Sequence, residues 1–252
     1  MSQMLRHPEI LRLARTEGKV TVEGLATHFG VTLQTIRRDL SDLAQAGQLA
    51  RVHGGAVLPS GTANIAYEER RALQADAKRA IARACAARIP EEVCLFLNIG
   101  TTTEAVAREL LHHRGLLVVT NNLNVAGILA GNPDCEVFVT GGRVRAADGG
   151  LVGPVAVTGL ERFRFDLAVI GCSALSGGGD LLDYDLAEVE VSRAALGASA
   201  AATLVADGSK LGRSAPARIA DLSGIDTWIT EAPPPAPLAA ACADWGTEVV
   251  VA

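Results

Sequence analysis

The sequence predicts an α/β protein in two parts: an N-terminal winged helix-turn-helix over residues 1–58 and a larger α/β domain over residues 67–252, joined by a linker at 59–66. Three observations carry this prediction. Short stretches of helical apolar spacing, each stopped at a glycine, fill the N-terminal part. A pair of short strand-like runs hinged at two glycines follows them. Beyond, short apolar runs alternate with helical stretches, the pattern of a largely parallel sheet covered on both faces.

Ile10, Leu11, Leu13 and Ala14 recur at helical spacing and stop near Glu17-Gly18, which predicts a short first helix. A second carries Val22, Leu25, Ala26 and Phe29 after Val20-Thr21 and halts at Gly30. The third opens with Thr32 as N-cap and runs to about Ala46, with Gly47 behind it. Gln48–Val57 reads as two short strands hinged at Gly54-Gly55, which is a wing. Pro59-Ser60-Gly61-Thr62-Ala63-Asn64 sustains neither periodicity and marks the linker.

The Ala- and Arg-rich stretch Tyr67–Ile89 is predicted helical. The strand candidates are Val93–Leu97, Leu116–Thr120, Val137–Thr140, Leu167–Gly171, Ala202–Ala206, Trp228–Thr230 and Val249–Val251. Helices are expected at Glu104–Leu111, Leu123–Leu129 and Ala187–Ala198, and Pro233-Pro234-Pro235 is a rigid connector.

Composition narrows the function. The formal net charge is −5, but residues 1–58 hold seven Lys+Arg against five Asp+Glu, so the front carries +2 and the remainder −7. A small basic reader before an acidic mass fits double-stranded nucleic acid. With 4% aromatic residues, extended base stacking on single strands or RNA is disfavoured. Cys85, Cys94, Cys135, Cys172 and Cys242 are odd in number, widely spaced and without a histidine cluster, so neither a metal site nor a disulfide framework is expected. The chain shows no apolar run approaching the roughly 20 residues of a membrane span and no leader pattern, and a cytoplasmic protein that avoids membranes is the expectation.

In a helix-turn-helix the second helix must approach the third closely. Ala26, Gly30 and Ile36 supply the small residue, the turn and the buried anchor. With Ile36, Leu40 and Leu43 facing inward, Gln34, Arg38, Ser41 and Gln45 face outward and Thr35 and Arg37 take the flanks. Arg can pair bidentately with guanine, Gln with adenine, and Ser or Thr with phosphate. Arg51 and His53 would ride on the wing towards the DNA backbone or minor groove. An isolated arginine pair is usually just a solvated surface; here it lies opposite the core of a third helix and ahead of a basic hairpin.

Val31-Thr32-Leu33-Gln34-Thr35-Ile36-Arg37-Arg38-Asp39-Leu40, followed by Arg51-Val52-His53-Gly54-Gly55-Ala56, resembles the signature of DeoR/GlpR-type repressors, with both blocks at that family's separation. The resemblance puts the recognition residues at Thr32, Gln34, Thr35, Arg37 and Arg38. It implies a homo-oligomer, at least a dimer, that binds operator DNA and regulates sugar or nucleoside catabolism.

In the second part, Val93–Leu97 runs through Asn98-Ile99-Gly100-Thr101-Thr102-Thr103 into a helix, placing free amides and three hydroxyls at a helix N-terminus, a natural phosphate cradle. Taken by itself, such a junction is more often a structural cap, since Thr caps helices well. Thr120-Asn121-Asn122, Thr140-Gly141-Gly142, Gly171-Cys172-Ser173 and Asp207-Gly208-Ser209-Lys210 also follow strands, and in a parallel sheet these ends gather along one edge. These blocks resemble the sensor of the same family, whose fold is related to ribose-5-phosphate isomerase and CoA-transferase domains. The resemblance implies a phosphorylated effector held by Gly100, Thr101, Thr102 and Thr103, with Asn121, Gly141, Asp183 and Lys210 near the sugar, and no cofactor. Two positions depart from the family pattern: Ser192 stands where many relatives carry Lys, and Asn98 where an acidic residue or Ser is frequent.

Two rival readings remain. A sugar-phosphate isomerase-like enzyme would need a base beside the phosphate clamp, and Glu190 or Asp183 could serve; fold similarity alone does not make catalysis. A protein-docking helix-turn-helix would leave Gln34, Arg38, Ser41 and the basic wing without a purpose.

Overall fold

The computed structural model describes residues 3–17, 19–45, 48–52, 54–57 and 67–252. They fall into two compact units, one N-terminal and one formed by the larger remainder. The expected linker at 59–66 lies outside the described residues.

The N-terminal unit runs α1 (Gln3–Glu17), β1 (Lys19–Thr21), α2 (Val22–Phe29), α3 (Leu33–Gln45), β2 (Ala50–Val52) and β3 (Gly55–Val57). The first helix, expected to be short, has 15 residues. Thr21 Oγ1 caps α2 by accepting from the Gly24 amide at 3.1 Å, and Gly30 closes it at φ 62°. Thr32 is the expected cap of α3: its Oγ1 accepts from the Thr35 amide at 3.2 Å. The wing is three-stranded, not two-stranded, in the order β1-β3-β2, all antiparallel. Gly55 is required there, because a Cβ would lie 2.0 Å from the Val20 carbonyl oxygen.

Ile10, Ala14, Val22, Leu25, Ile36, Leu40, Leu43 and Ala56 make one core. Behind α3, Arg6 and Asp39 form a buried two-point ion pair at 2.7 and 3.1 Å, which ties α1 to α3.

The C-terminal unit starts with α4 (Tyr67–Ala72) and α5 (Ala75–Ala86), so the helix expected over Tyr67–Ile89 is broken, with Gln74 at φ 54°. There follow β4 (Cys94–Leu97), α6 (Thr101–Glu109), β5 (Leu116–Thr120), α7 (Leu123–Leu129), β6 (Cys135–Val139), β7 (Arg143–Arg145), β8 (Gly150–Val152), α8 (Pro154–Leu160), β9 (Phe165–Ile170), β10 (Ala174–Leu175), β11 (Asp180–Asp183), α9 (Leu186–Gly197), β12 (Ser199–Val205), β13 (Ala217–Asp221), β14 (Thr227–Thr230), α10 (Ala236–Trp245) and β15 (Glu248–Val251).

All seven predicted strands form one parallel sheet in the order β15-β14-β12-β9-β4-β5-β6. Alternate residues serve opposite faces: Phe96 packs with Phe165, Leu204 and Trp228, while Leu95 and Leu97 pack with Ile81, Val106 and Val118. The chain leaves β4 towards β5 and β6, then returns to pair β9 on the other side of β4. The strand ends of β4 and β9 therefore part at a topological switch point, where open α/β sheets form crevices. Two small sheets, β7-β8 and β10-β11-β13, lie outside the main sheet.

Candidate functional site

Helix α3 divides as its periodicity demands. Ile36 and Leu40 are fully buried and Leu43 nearly so, while Thr32, Gln34, Arg37 and Arg38 are exposed. Thr35 and Ser41 are half-buried, and the Thr35 hydroxyl lies 2.9 Å from that of Thr32. Leu33, not singled out from sequence, is 42% exposed in the first turn and offers an apolar surface of the kind that meets a thymine methyl. On the wing, Arg51 sits in β2 opposite Ala56 in the register, and Gly54 turns the chain at φ 76°. His53 lies outside the described residues. The expected face thus exists, with a guanidinium and an amide presented from the N-terminal half of a helix that can enter a major groove.

At the switch point of the C-terminal unit lies a cavity. Its walls are Ile99, Gly100, Thr101 and Thr102 after β4, Gly171, Cys172 and Ser173 after β9, and Arg70, Asp183, Glu188, Val205 and Lys210. Five residues expected at the effector site therefore meet: Gly100, Thr101, Thr102, Asp183 and Lys210. The first amides of α6 have no helical acceptor and point out of its positive end. Three expected residues do not line the cavity. Thr103 is fully buried, and its hydroxyl donates to the Asn98 and Gly100 carbonyls at 2.8 Å each, bracing the loop instead. Asn121 is buried and donates to the Leu151 carbonyl at 3.1 Å, while Gly141, at φ 77°, turns the chain after β6.

Sequence reading missed two cations here. Arg70 enters the cavity from α4; its Nη2 pairs with Asp148 at 3.1 Å, and its buried Nε has no hydrogen-bond partner among the described residues. Lys78 is 6% exposed, and its ammonium donates to the Arg70 carbonyl but forms no ion pair among the described residues. Burial, and then the Lys210 charge, lower its pKa to about 8, against the pull of Asp207. Only three-dimensional proximity reveals this cluster, since in sequence both residues look like solvated charges on an Arg-rich helix.

A carboxylate cluster faces the cations. Arg145 reaches Asp148 at 2.8 Å, Asp185 at 2.7 Å and Glu188 at 2.5 Å. Burial, reinforced by Asp183, nevertheless raises Glu188 to about 8, although Arg145 acts the other way. Burial pushes the Cys172 thiol up to about 12, so it stays protonated and is no nucleophile. The cavity can thus bind an anion at its amide and cation side and hydroxyl groups at its carboxyl side. Among the described residues no His, Cys, Asp and Glu cluster suits a metal, and no helix is long and apolar enough to cross a membrane.

Known proteins resemble both units. The DeoR-like helix-turn-helix domain matches residues 6–62, and the DeoR C terminal sensor domain matches residues 73–232. The glycerol-3-phosphate regulon repressor of Escherichia coli (strain K12) is 43% identical over 235 residues, 93% of either chain. The repressor of that name from Haemophilus influenzae is 42% identical over 91% of this chain and 90% of its own. The HTH-type transcriptional repressor CsqR of Escherichia coli (strain K12) is 37% identical over 98% of this chain and 94% of its own. Among solved structures, ribose 5 phosphate isomerase A from Neisseria gonorrhoeae aligns with a TM-score of 0.40 at 15% identity, over 54% of this chain and 53% of that one.

Proposed function

This chain belongs to the DeoR family of transcription regulators, and from that premise we propose that it is a repressor released from its operator by a small phosphorylated metabolite. It is a regulator and not an enzyme, in line with relatives named as repressors. The observation that carries the effector reading is the switch-point cavity, where helix amides converge with Arg70 and Lys210, with the buried Lys78 close by. Lys78, buried and without an ion pair among the described residues, costs folding energy that a nearby bound anion recovers.

In this reading residues 1–58 read DNA, 59–66 connect, and 67–252 sense the effector. Arg38 and Gln34 read base edges, Thr32, Thr35, Arg37 and Ser41 support them at the backbone, and Arg51 and His53 follow on the wing. Gly100, Thr101, Thr102 and Lys210 hold the phosphate, with Arg70 and Lys78 added to them. Asp183 meets hydroxyl groups, and Thr103, Asn121 and Gly141 shape the surrounding loops. The working form is a homo-oligomer, at least a dimer, because helix-turn-helix proteins gain affinity by joining half-sites about one helical turn apart. It acts in the cytoplasm, where its operator is.

Glycerol 3-phosphate is the first probe, since two similar repressors carry it in their names. The experiment is a panel of sugar and polyol phosphates tested for release of the protein from its own upstream promoter DNA. Release by a phosphorylated compound but not by its unphosphorylated parent supports the reading, and operator DNA must then weaken that compound's binding by the same factor. Turnover of a sugar phosphate without DNA would support the isomerase-like alternative. DNA binding that ignores the whole panel sinks the effector reading.

A further inference from the structure

Asn98 and Ser192 are in contact: Asn98 Nδ2 reaches Ser192 Oγ at 3.4 Å. Both are buried, and neither lines the cavity. Asn98 lies behind it. The β4–β9 ladder ends at Leu97 and Val169, and the Asn98 amide still reaches the Val169 carbonyl at 3.4 Å. Beyond that point the chains diverge, and the side chain of Asn98 takes over from the ladder. Its Oδ1 accepts from the Gly171 amide at 3.0 Å, and its Nδ2 donates to the Gly171 carbonyl at 3.3 Å. The Asn98 carbonyl meanwhile accepts from the Thr103 hydroxyl at 2.8 Å.

We propose that Asn98 is the positioning residue of the effector cavity: its side chain locks the loop after β4 to the loop after β9 and to α9, and so sets the distance between the amide cradle and the opposite wall. This rests on the effector reading above. A side-chain amide suits the task because it donates and accepts at once, satisfying both main-chain groups of Gly171 without placing a charge behind the anion site. A carboxylate of the same shape would keep the bond from the Gly171 amide but turn an acceptor against the Gly171 carbonyl. Once protonated it would donate again and restore the lock.

Asn98→Asp therefore makes the lock pH-dependent, which a merely structural role would not do. Binding of glycerol 3-phosphate and ribose 5-phosphate is measured by calorimetry and divided by the wild-type value at each pH. Lys78, Asp183, Glu188, Lys210, Cys172 and the ligand phosphate are common to both proteins, so the ratio isolates the introduced carboxyl. The ratio is expected to fall at least about thirtyfold at about pH 8 and to close towards unity near pH 5.5, with operator affinity unchanged in the absence of ligand. A ratio that stays at unity, or is depressed equally at every pH, overturns the proposal. Ser192→Ala, which removes only the longest of the three bonds, covers a failure of the first variant to fold; it should weaken binding about threefold, and unchanged binding overturns the proposal. Hydrogen exchange at the Gly171 amide, read without ligand, separates this inference from the reading beneath it. If the wild type binds neither phosphate the effector reading falls, whereas Gly171 exchange that is no faster in Asn98→Ala, which removes the acceptor of that amide, than in the wild type removes the lock itself.

Discussion

In the N-terminal unit the buried cation Arg6 meets the buried anion Asp39 in a two-point pair, whereas in the C-terminal unit Lys78 is buried as deeply with, among the described residues, only the Arg70 carbonyl to accept its protons. The first arrangement is complete within the fold and serves to hold α1 against α3, behind the helix that carries Arg38. The second is incomplete and lies beside a cavity. A buried ion pair broken on one side leaves the other charge stranded, while a buried charge already without a counter-ion is relieved by removal or by an anionic ligand. The same kind of side chain should thus respond to neutralisation with opposite signs in the two units.

The largest expected effect is at the completed pair. Asp39→Ala should destabilise the N-terminal unit by about 3–5 kcal/mol, because Arg6 would remain buried and uncompensated. Denaturant unfolding of the full chain should show an early transition, and operator affinity should fall with it. Wild-type stability in this variant would mean that the pair is not structural.

Lys78→Met should do the reverse. Its pKa is lowered from 10.5 to about 8, so the folded state pays for the charged form in full below about pH 8 and recovers that stability as pH rises towards 10.5. Near neutral pH the substitution should stabilise the ligand-free protein by about 2–3 kcal/mol, allowing for the lost bond to the Arg70 carbonyl. Phosphate-ester binding should weaken at the same time. A lower melting temperature would show that Lys78 supports the fold as Arg6 does, and would remove the contrast.

Arg38→Ala tests the exposed side of the first region. Because it faces away from Ile36, Leu40 and Leu43, its loss should leave folding intact and cost about 1–3 kcal/mol of operator affinity per half-site. Operator and random-sequence DNA must be compared at one salt concentration. Equal losses on both would assign Arg38 to the phosphate backbone rather than to bases.

The contrast also explains what could be read in advance. The inner strands of the main sheet were legible because a strand buried on both faces is a continuous apolar run, such as Leu116–Thr120, and the more exposed edge strands β6 and β15 were legible from short apolar runs of their own. α3 was legible because Ile36, Leu40 and Leu43 repeat at helical spacing beside polar positions. The short strands β1, β7, β8, β10, β11 and β13 were not, since two to five residues carry too little alternation to register. α8 sets Ala156 and Leu160 among Val155, Val157, Thr158 and Gly159, which disfavour helices, and no pattern marked the start of α10 beyond the prolines before it. The Gly100–Thr102 cradle was visible because strand, glycine and helix are contiguous. Arg70, Lys78 and Asn98 were not, because the groups that define their roles, Asp148, the like charge of Lys210 and Gly171, are brought to them only by the fold.

Glu188 lies between the two extremes, since it is buried at the cavity and touches Arg145 at 2.5 Å yet has its pKa raised to about 8. A folded-state pKa above the unfolded value means that the folded protein holds a proton which the unfolded chain releases. The stability this contributes is complete below the unfolded pKa of 4.5 and is lost as pH rises through about 8. The shared Arg145 contact limits the size of the effect, so the loss between about pH 5 and about pH 7 should be on the order of 1–2 kcal/mol. Glu188→Gln keeps an acceptor for Arg145 but cannot ionise, and its stability should be flat across that window. Urea unfolding of both proteins at several pH values decides it. Parallel pH profiles would mean that Arg145 holds Glu188 ionised throughout, which would place it with the completed pair of Arg6 and Asp39 rather than with Lys78.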